Sequence, residues 1–398
     1  MSLSQRMSLI KESPTIAVMT LAQKLKREGS DVIILAAGEP DFDTPEHIKK
    51  AAITAIIDGK TKYTAAGGTI ELKQAIVAKF RRDNNLEYTT SEVIVSAGGK
   101  HSIYNLLQAL IGEGDEVIIP APYWVSYPDM VLLADGKPVI VDCTIATNYK
   151  ITPNALKQAL NNKTKAIILN SPSNPTGMVY TAQELRALAD ILISYPQVYI
   201  ITDDIYEHIL FDDAKFVNIA NVAPELLNRI VIINGVSKAY AMTGWRIGYA
   251  ASKDSKLIKA METIQSQSTS NPCSIAQAAA TEALNGDFSS ILMMKESFQK
   301  RHEYVVTRLN KIKGIKCLPA QGAFYSFFDC SEAINNLYTA GKINQKNDLA
   351  FSNYLLNNYL VAGVPGSAFG LDNHMRISYA TNMQELETAL NRIEQALC

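Results

Sequence analysis

Cysteine is scarce in this sequence, and none of it is spaced for a metal or redox site. The 398 residues contain five cysteines, an odd number, and no C-x-x-C pair. A disulfide framework and a cysteine zinc site are therefore not expected, and a reducing compartment fits this composition. We predict that the protein holds no metal.

An excess of one charge and a long apolar run are also missing. Lysine and arginine number 38 against 39 aspartates and glutamates, which gives a net charge of −1. A nucleic-acid-binding protein would carry a basic excess or stripe, so no nucleic-acid partner is expected. No run has the length of a membrane span, and the first ten residues lack the apolar core of a signal peptide. These absences predict a cytoplasmic protein with no membrane partner.

Two glycine-rich nucleotide motifs do not occur in the chain. Neither a Walker A loop nor a G-x-G-x-x-G run is present, which counts against nucleoside triphosphates, dinucleotides and a dehydrogenase. Hydrophobic residues make up 47% and charged residues 19%, so a globular chain with a sizeable core is expected.

Short apolar segments alternate with helical patterns through most of the chain. Strands are predicted at 32–37, 93–96, 116–120, 165–170, 198–202 and 229–234, with helices at 100–111 and 184–193 among those between them. This alternation predicts an α/β fold with a mostly parallel sheet and helices on both faces. After residue 287 the pattern changes to a long charged helix, then further strands and helices. We predict a large domain at 46–285 and a smaller α+β domain from 1–45 and 286–398.

One lysine follows the end of a predicted strand, where ligands bind in open α/β sheets. Lys238 comes just after the strand 229–234, and Arg246 stands eight residues later. A partly desolvated lysine can lose its proton and form a Schiff base with a carbonyl cofactor, while Arg246 can hold a phosphate. The alternative is an ordinary surface lysine.

A carboxylate follows the neighbouring predicted strand. Asp203 comes after the strand 198–202, and Tyr206 lies three positions later. A carboxylate at a buried strand end needs a partner, and a cationic ring nitrogen of a ligand would be one. Tyr206 could reach the same ligand. The alternative is that Asp203 caps a helix.

The loop after strand 93–96 contains Gly99 and Lys100 and leads into a helix. Glycines let the backbone approach an anion, and the N–H groups at a helix start face it, so this loop predicts a phosphate cradle. A plain strand-to-helix turn is the alternative.

Three more residues have chemistry that suits a flat, anionic ligand. Asn174 stands between two prolines that fix its turn, and Trp124 offers a platform for a flat ring. Arg376 enters a late strand and can bind a carboxylate with two hydrogen bonds. The alternatives are a structural turn, a core tryptophan and an internal salt bridge.

These motifs, in this order, resemble the class I pyridoxal-phosphate-dependent aminotransferases of fold type I. Further segments resemble the bacterial aspartate aminotransferase branch, and the resemblance runs from about Ser13 to the C-terminus. The segments that carry it are NSPSNPTG at 170–177, Asp203 with Tyr206, SKAYAMTGWRIG at 237–248, AGEPDFDTP at 37–45, PYWVSYP at 122–128 and QSQSTS at 265–270.

The resemblance implies that the cofactor is pyridoxal 5'-phosphate and that the protein is a homodimer with shared active sites. It implies transfer of the amino group of L-aspartate to 2-oxoglutarate, by a ping-pong route. The implied roles are Lys238 as Schiff-base lysine and proton carrier, Asp203 on the pyridine nitrogen, Asn174 and Tyr206 on the ring oxygen, Trp124 stacked on the ring, Gly99, Lys100 and Arg246 around the phosphate, Tyr63 reaching that phosphate from the partner subunit, and Arg376 with the Gly38 amide on the substrate α-carboxylate.

Two departures from better-known aspartate enzymes bear on these roles. The position three residues before the lysine, where they carry a phosphate-binding serine, is Gly235, and no arginine occurs at 266–271 for the distal carboxylate. Lys100 is therefore the candidate for that carboxylate. An alternative activity is transamination of prephenate or an aromatic keto acid, for which Lys11 can contact the second carboxylate. A pyridoxal-phosphate-fold binding module is opposed by the intact Lys238 and Arg376.

Overall fold

The structure is a computed structural model, and it describes residues 4–10 and 14–398. Its strands are β1 (Ile33–Ile34), β2 (Val93–Ser96), β3 (Glu116–Ala121), β4 (Lys137–Asp142), β5 (Thr164–Asn170), β6 (Tyr199–Asp203), β7 (Ile230–Gly235), β8 (Gly248–Ser252), β9 (Lys316–Cys317), β10 (Tyr325–Asp329), β11 (Val361–Ala362), β12 (Val364–Pro365) and β13 (His374–Ser378).

Helices lie between and around these strands. The α-helices are α1 (Pro14–Arg27), α2 (Glu46–Ile57), α3 (Ile70–Asn84), α4 (Gly99–Leu110), α5 (Ser126–Leu133), α6 (Pro153–Ala159), α7 (Ala182–Leu192), α8 (Ile219–Val222), α9 (Ser255–Ser268), α10 (Ser274–Asn285), α11 (Ser289–Leu309), α12 (Ser331–Thr339), α13 (Asp348–Tyr359) and α14 (Met383–Leu397). Short 3₁₀ helices occupy Gln5–Ser8, Thr90–Glu92, Ile145–Thr147, Pro224–Arg229, Thr243–Trp245 and Gly366–Phe369.

A seven-stranded sheet carries the main framework, in the order β2-β8-β7-β6-β5-β3-β4. Every neighbouring pair is parallel except those of β8, which runs antiparallel to β2 and β7. In its central strands successive side chains enter different hydrophobic clusters: Ile200 and Ile232 pack on one side, Ile201 and Val231 on the other. Burial on both faces explains why these strands are continuous apolar runs.

Two smaller sheets complete the fold. A four-stranded antiparallel sheet has the order β12-β13-β10-β9, and β1 pairs in parallel with β11. The strands of the large sheet lie within 46–285 and those of the four-stranded sheet within 286–398, but the domain boundaries stay a prediction. One hydrophobic cluster includes residues of both ranges, among them Ile48 and Leu390.

Two of the differences between the local predictions and the structure are informative. The predicted strand 32–37 is paired only at β1, because β11 offers just two partner residues. The sequence patterns missed α3, whose buried residues include Leu72, Ile76 and Phe80. Thr69 caps its first turn and Asn85 ends it in a left-handed conformation.

Among the described residues, none of the helices combines the length and the apolar character that a membrane span needs.

Candidate active site

A cavity of 370 Å³ opens at the carboxyl ends of β5, β6 and β7. Parallel strands bring these ends to one edge of a sheet, which is where ligands bind in open α/β folds. The cavity brings together ten of the residues predicted from the sequence: Gly38, Gly99, Lys100, Trp124, Asn174, Asp203, Tyr206, Lys238, Arg246 and Arg376.

Lys238 projects into this cavity from the loop after β7. Its ammonium group donates a hydrogen bond to the Gly38 carbonyl and lies 5.9 Å from the centroid of the Tyr206 ring. Burial lowers the pKa of Lys238 to about 8, against the opposing effect of the Glu39 carboxylate. A fraction of neutral amine is therefore available near neutral pH, as a nucleophilic lysine requires.

Asp203 is the last residue of β6 and is buried at the cavity wall. Its carboxylate accepts hydrogen bonds from the Tyr127 hydroxyl at 2.6 Å and from the Ile205 backbone N–H at 3.4 Å. No basic side chain within residues 4–10 or 14–398 forms an ion pair with it. Burial raises the pKa of Asp203, and these two hydrogen bonds oppose that rise together with the more distant charge of Lys238. A cationic group in the cavity would supply the counter-charge that this carboxylate lacks.

Arg376, in β13, is the corresponding buried cation. It is 2% exposed, and its guanidinium donates to Asn174 Oδ1 at 2.9 Å and to the Ala36 carbonyl at 2.8 Å. Its Nε has no hydrogen-bond partner in the described part of the chain. The Tyr325 ring centroid lies 4.4 Å from the guanidinium carbon. This planar guanidinium is arranged to donate hydrogen bonds to a carboxylate.

The Tyr206 hydroxyl meets the Tyr325 hydroxyl at 2.8 Å. Both side chains are buried, and burial raises the pKa of each phenol. Tyr206 follows β6 in the large sheet, whereas Tyr325 begins β10 in the four-stranded sheet. The cavity is thus closed by side chains from both sheets.

The anion-binding end is built by the start of α4 and by Arg246. The first N–H groups of a helix have no intrahelical acceptor, so those at Gly99 and Lys100 are free to meet an anion. Gly98 has φ +97°, and a Cβ there would come within 2.3 Å of Arg246 Nη2. Arg246 donates to the Thr243 carbonyl at 2.8 Å. Only glycine at 98 lets the guanidinium approach the loop this closely.

Lys100 and Trp124 lie side by side at the cavity. The Lys100 ammonium is 4.9 Å from the centroid of the Trp124 ring. Burial lowers the pKa of Lys100, and the charge of Arg246 adds to this effect. Lys100 therefore lies close to the predicted phosphate end as well as to the aromatic platform.

Two predicted residues, Tyr63 and Lys11, remain to be placed. Tyr63 is 93% exposed on the surface of the same chain and does not line the cavity. Lys11 lies outside the described residues.

The structure adds residues that sequence reasoning did not select. Tyr127 and Tyr325 contact predicted site residues, and Ser237 and Glu39 line the cavity. Ser237 could have been selected from the sequence, since it directly precedes Lys238. The departure at Gly235 has a steric cause, because a Cβ there would lie 2.9 Å from the Ile247 carbonyl oxygen.

Comparisons with known proteins agree with this geometry. The model of the family "Aminotransferase class I and II" matches residues 30–393. A Nitrosomonas europaea protein named aspartate/prephenate aminotransferase is 56% identical over 397 residues, covering 100% of both chains. The Rhizobium meliloti protein named aspartate aminotransferase is 49% identical, covering 99% of this chain and 95% of its own.

Solved structures agree as well. The crystal structure of the Rhizobium meliloti aspartate aminotransferase gives a TM-score of 0.94 at 47% identity, covering 100% of this chain and 99% of that one. The Thermus thermophilus aspartate aminotransferase with maleate gives 0.92 at 41% identity, covering 100% of both. The α/β fold and the family predicted from the motifs are confirmed, and the chain belongs to the class I and II aminotransferases.

Proposed function

We propose that this protein is a pyridoxal-phosphate-dependent aspartate aminotransferase, which converts L-aspartate and 2-oxoglutarate into oxaloacetate and L-glutamate. One observation carries the proposal. One cavity is lined by Lys238, whose pKa is lowered, by the carboxylate of Asp203 and by the guanidinium of Arg376, and neither of the last two has an ion-pair partner in the described part of the chain.

The residues present fit pyridoxal phosphate. Its phosphate suits the start of α4 and Arg246, its protonated ring nitrogen suits Asp203, and Trp124 offers a face for the ring. When bound, this cofactor supplies a carbonyl that takes up the amino group and a ring that withdraws electrons from the substrate α-carbon.

The chain's own residues then have separate tasks. Lys238, as a neutral amine, would hold the cofactor carbonyl carbon and would move the proton at the substrate α-carbon. Asp203 would keep the ring nitrogen of the cofactor charged, and Tyr206 and Asn174 would bind its ring oxygen. Arg376 and the Gly38 amide hold the α-carboxylate, and Lys100 binds the distal one. The amino acid and the keto acid use the same site in two successive half-reactions, so a ping-pong sequence is expected.

A second keto acid, prephenate, is supported by a specific feature of the cavity. Ile16 and Met19 of α1 line it together with Trp124 and Tyr127, so part of its wall is apolar or aromatic. The Nitrosomonas europaea relative bears both aspartate and prephenate in its name. We therefore propose prephenate as an additional amino acceptor, with Lys11 as a candidate contact for its second carboxylate.

We further propose a cytoplasmic homodimer in which Tyr63 reaches the partner's phosphate end. A second open cavity shares Arg246 and Thr243 with the first, which leaves room for a partner residue. Ile53, Ile56 and Ile57 expose apolar surface on α2 close in sequence to Tyr63. All five cysteines are free, which suits a reducing compartment.

The test is a spectrum followed by a substrate panel. Adding pyridoxal phosphate to the purified protein should produce a new visible absorption band, and L-aspartate alone should discharge it. A Lys238→Ala variant should lack the band and lose about 10²–10⁴ in rate. Lys253→Ala is the matched control, because Lys253 also follows a strand but binds Glu92. A wild-type protein with no band and no transfer from aspartate to 2-oxoglutarate would refute the proposal.

A further inference from the structure

A buried ion pair lies behind the cavity, one residue from Tyr206. The Lys79 ammonium of α3 binds the Glu207 carboxylate, and the two side chains are only 1% and 4% exposed. Neither residue lines the cavity, so the roles assigned above leave the pair unexplained.

Glu207 receives further hydrogen bonds on both carboxylate oxygens. Asn84 donates to Oε2 at 2.8 Å and Asn234 to Oε1 at 2.6 Å, while His208 Nε2 lies 3.5 Å from Oε1. Burial by itself raises the pKa of Glu207, but the Lys79 charge, His208 and the Asn84 hydrogen bond bring it to about 2. Glu207 is therefore a fixed, charged acceptor at all ordinary pH values.

Asn234 connects this acceptor to the loop that carries Lys238. It lies on β7, four residues before the lysine, and its Oδ1 accepts a hydrogen bond from the Gly235 backbone N–H at 2.7 Å. Backbone pairing of β6 with β7 extends to Asp203 and Ile233, so the Asn234–Glu207 bond is a link just beyond the end of that pairing.

A buried ion pair is a poor device for stability alone, since well-packed apolar residues often stabilise as much or more. Here it joins three elements at the point where two of them deliver reacting groups. β6 leads to Asp203 and Tyr206, and β7 leads to Lys238. Reacting groups must be held to a fraction of an ångström, and supporting hydrogen bonds provide that precision.

We propose that Glu207 is a positioning residue, which is held by Lys79 and fixes Tyr206 relative to Lys238 through its hydrogen bond with Asn234. The proposal rests on the proposed function, because Tyr206 and Lys238 need this alignment only if both act on the same ligand.

Two double variants separate positioning from stability. Lys79→Met with Glu207→Gln removes both charges but keeps an acceptor for Asn234. In the wild type Asn84 Oδ1 accepts a hydrogen bond from the Lys79 ammonium at 2.7 Å, so in this variant the Asn84 amide can turn and accept from the new side chain. Lys79→Met with Glu207→Leu also removes both charges but leaves Asn234 with no acceptor. Asn234→Leu breaks the same link from the other side. Leu386→Ala, in the distant helix α14, controls for lost stability.

Two measurements are made on each variant at temperatures where all are folded. The first is kcat and KM for aspartate, and the second is hydrogen exchange of the 232–240 segment in cofactor-free protein. The double variant with Glu207→Leu (the Leu pair) and Asn234→Leu should each lower kcat at least about tenfold with little change in KM. Both should also speed exchange of the Gly235 amide. The double variant with Glu207→Gln (the Gln pair) should keep most of the wild-type kcat and the slow exchange.

Equal kcat and equal exchange in the two double variants would overturn the proposal, and so would a kcat loss in Leu386→Ala as large as in Asn234→Leu. If the Leu pair does not fold, Asn234→Leu decides the matter alone. Failure of the proposed function is distinguishable: the wild type would then show no transamination, whereas the differences in hydrogen exchange between the variants would remain.

Discussion

Asn174 Oδ1 accepts a hydrogen bond from Arg376 Nη1 at 2.9 Å, although the two residues are 202 positions apart. Asn174 follows β5 of the large sheet, and Arg376 lies in β13 of the four-stranded sheet. Under the proposed function, one residue contacts the cofactor ring and the other the substrate α-carboxylate. The bond therefore couples substrate binding to the orientation of the ring.

Arg376→Leu should weaken all amino-acid substrates together, because each carries an α-carboxylate. The expected loss is about 2–5 kcal/mol, as for a desolvated charge pair. Lys100→Ser, by contrast, should weaken aspartate while sparing phenylalanine, since a point charge adds a contact only for a dicarboxylate. The quantity to measure is the kcat/KM ratio for aspartate over phenylalanine. An unchanged ratio in Lys100→Ser would move the distal contact to another residue.

The stability of the cofactor-free protein should depend on pH through Lys238. Its pKa is about 8 in the folded protein and takes the ordinary value of 10.5 in the unfolded chain. Between these values the unfolded chain binds more protons, so this lysine makes stability rise with pH, and its full burial cost is felt below pH 8. The stability advantage of Lys238→Met over the wild type should therefore shrink between about pH 8 and 10.5. Urea titrations across this range test it, and a constant difference would contradict the lowered pKa.

Asp203→Asn keeps the shape of the side chain but removes its charge. It should slow α-proton removal far more than it weakens cofactor binding, because the ring nitrogen loses the partner that keeps it charged. The neighbouring Asp204→Asn is the matched control. Asp204 does not line the cavity, so the same substitution there should leave α-proton removal unchanged. Single-turnover rates with aspartate decide, and a wild-type rate in Asp203→Asn would refute its role.

Ile57→Glu should disrupt the proposed dimer and lower activity together. Ile57 is 78% exposed on α2, and a charge is costly in an apolar contact between subunits. Ile193→Glu places the same change at an exposed isoleucine just after α7 and should leave both properties unchanged. Light scattering with a parallel activity assay tests this. Full activity in a monomeric Ile57→Glu protein would refute shared active sites.

The sequence predicted the parts of the site that local patterns determine. Asp203, Asn174 and Lys238 each follow an apolar run, and the end of such a run marks the ligand-binding edge of a parallel sheet. Tyr127 and Tyr325 escaped notice because nothing in their local sequence distinguishes them from core tyrosines. Their roles come from packing between distant segments, as the 2.8 Å contact of Tyr325 with Tyr206 illustrates.

Helix α3 was missed although its apolar residues are spaced as in an amphipathic helix. Its first turn follows a polar, glycine-containing segment, and its last turn contains Arg81 and Arg82. Lys79 is the more instructive case, since a lysine in a helix is normally solvated. Its burial depends on Glu207, 128 positions away, and no periodicity in the sequence encodes that pairing.

The hydrophobic cluster shared by the two predicted domains has a consequence for biosynthesis and truncation. A fragment that ended near residue 285 would leave Leu284 and Phe80 without the apolar side chains of α11 and α14 that belong to the same cluster. Such a fragment would expose apolar surface and aggregate rather than fold as an independent domain. Helices α11 and α14 thus complete the interior, so a truncation before them should lower the yield of folded protein.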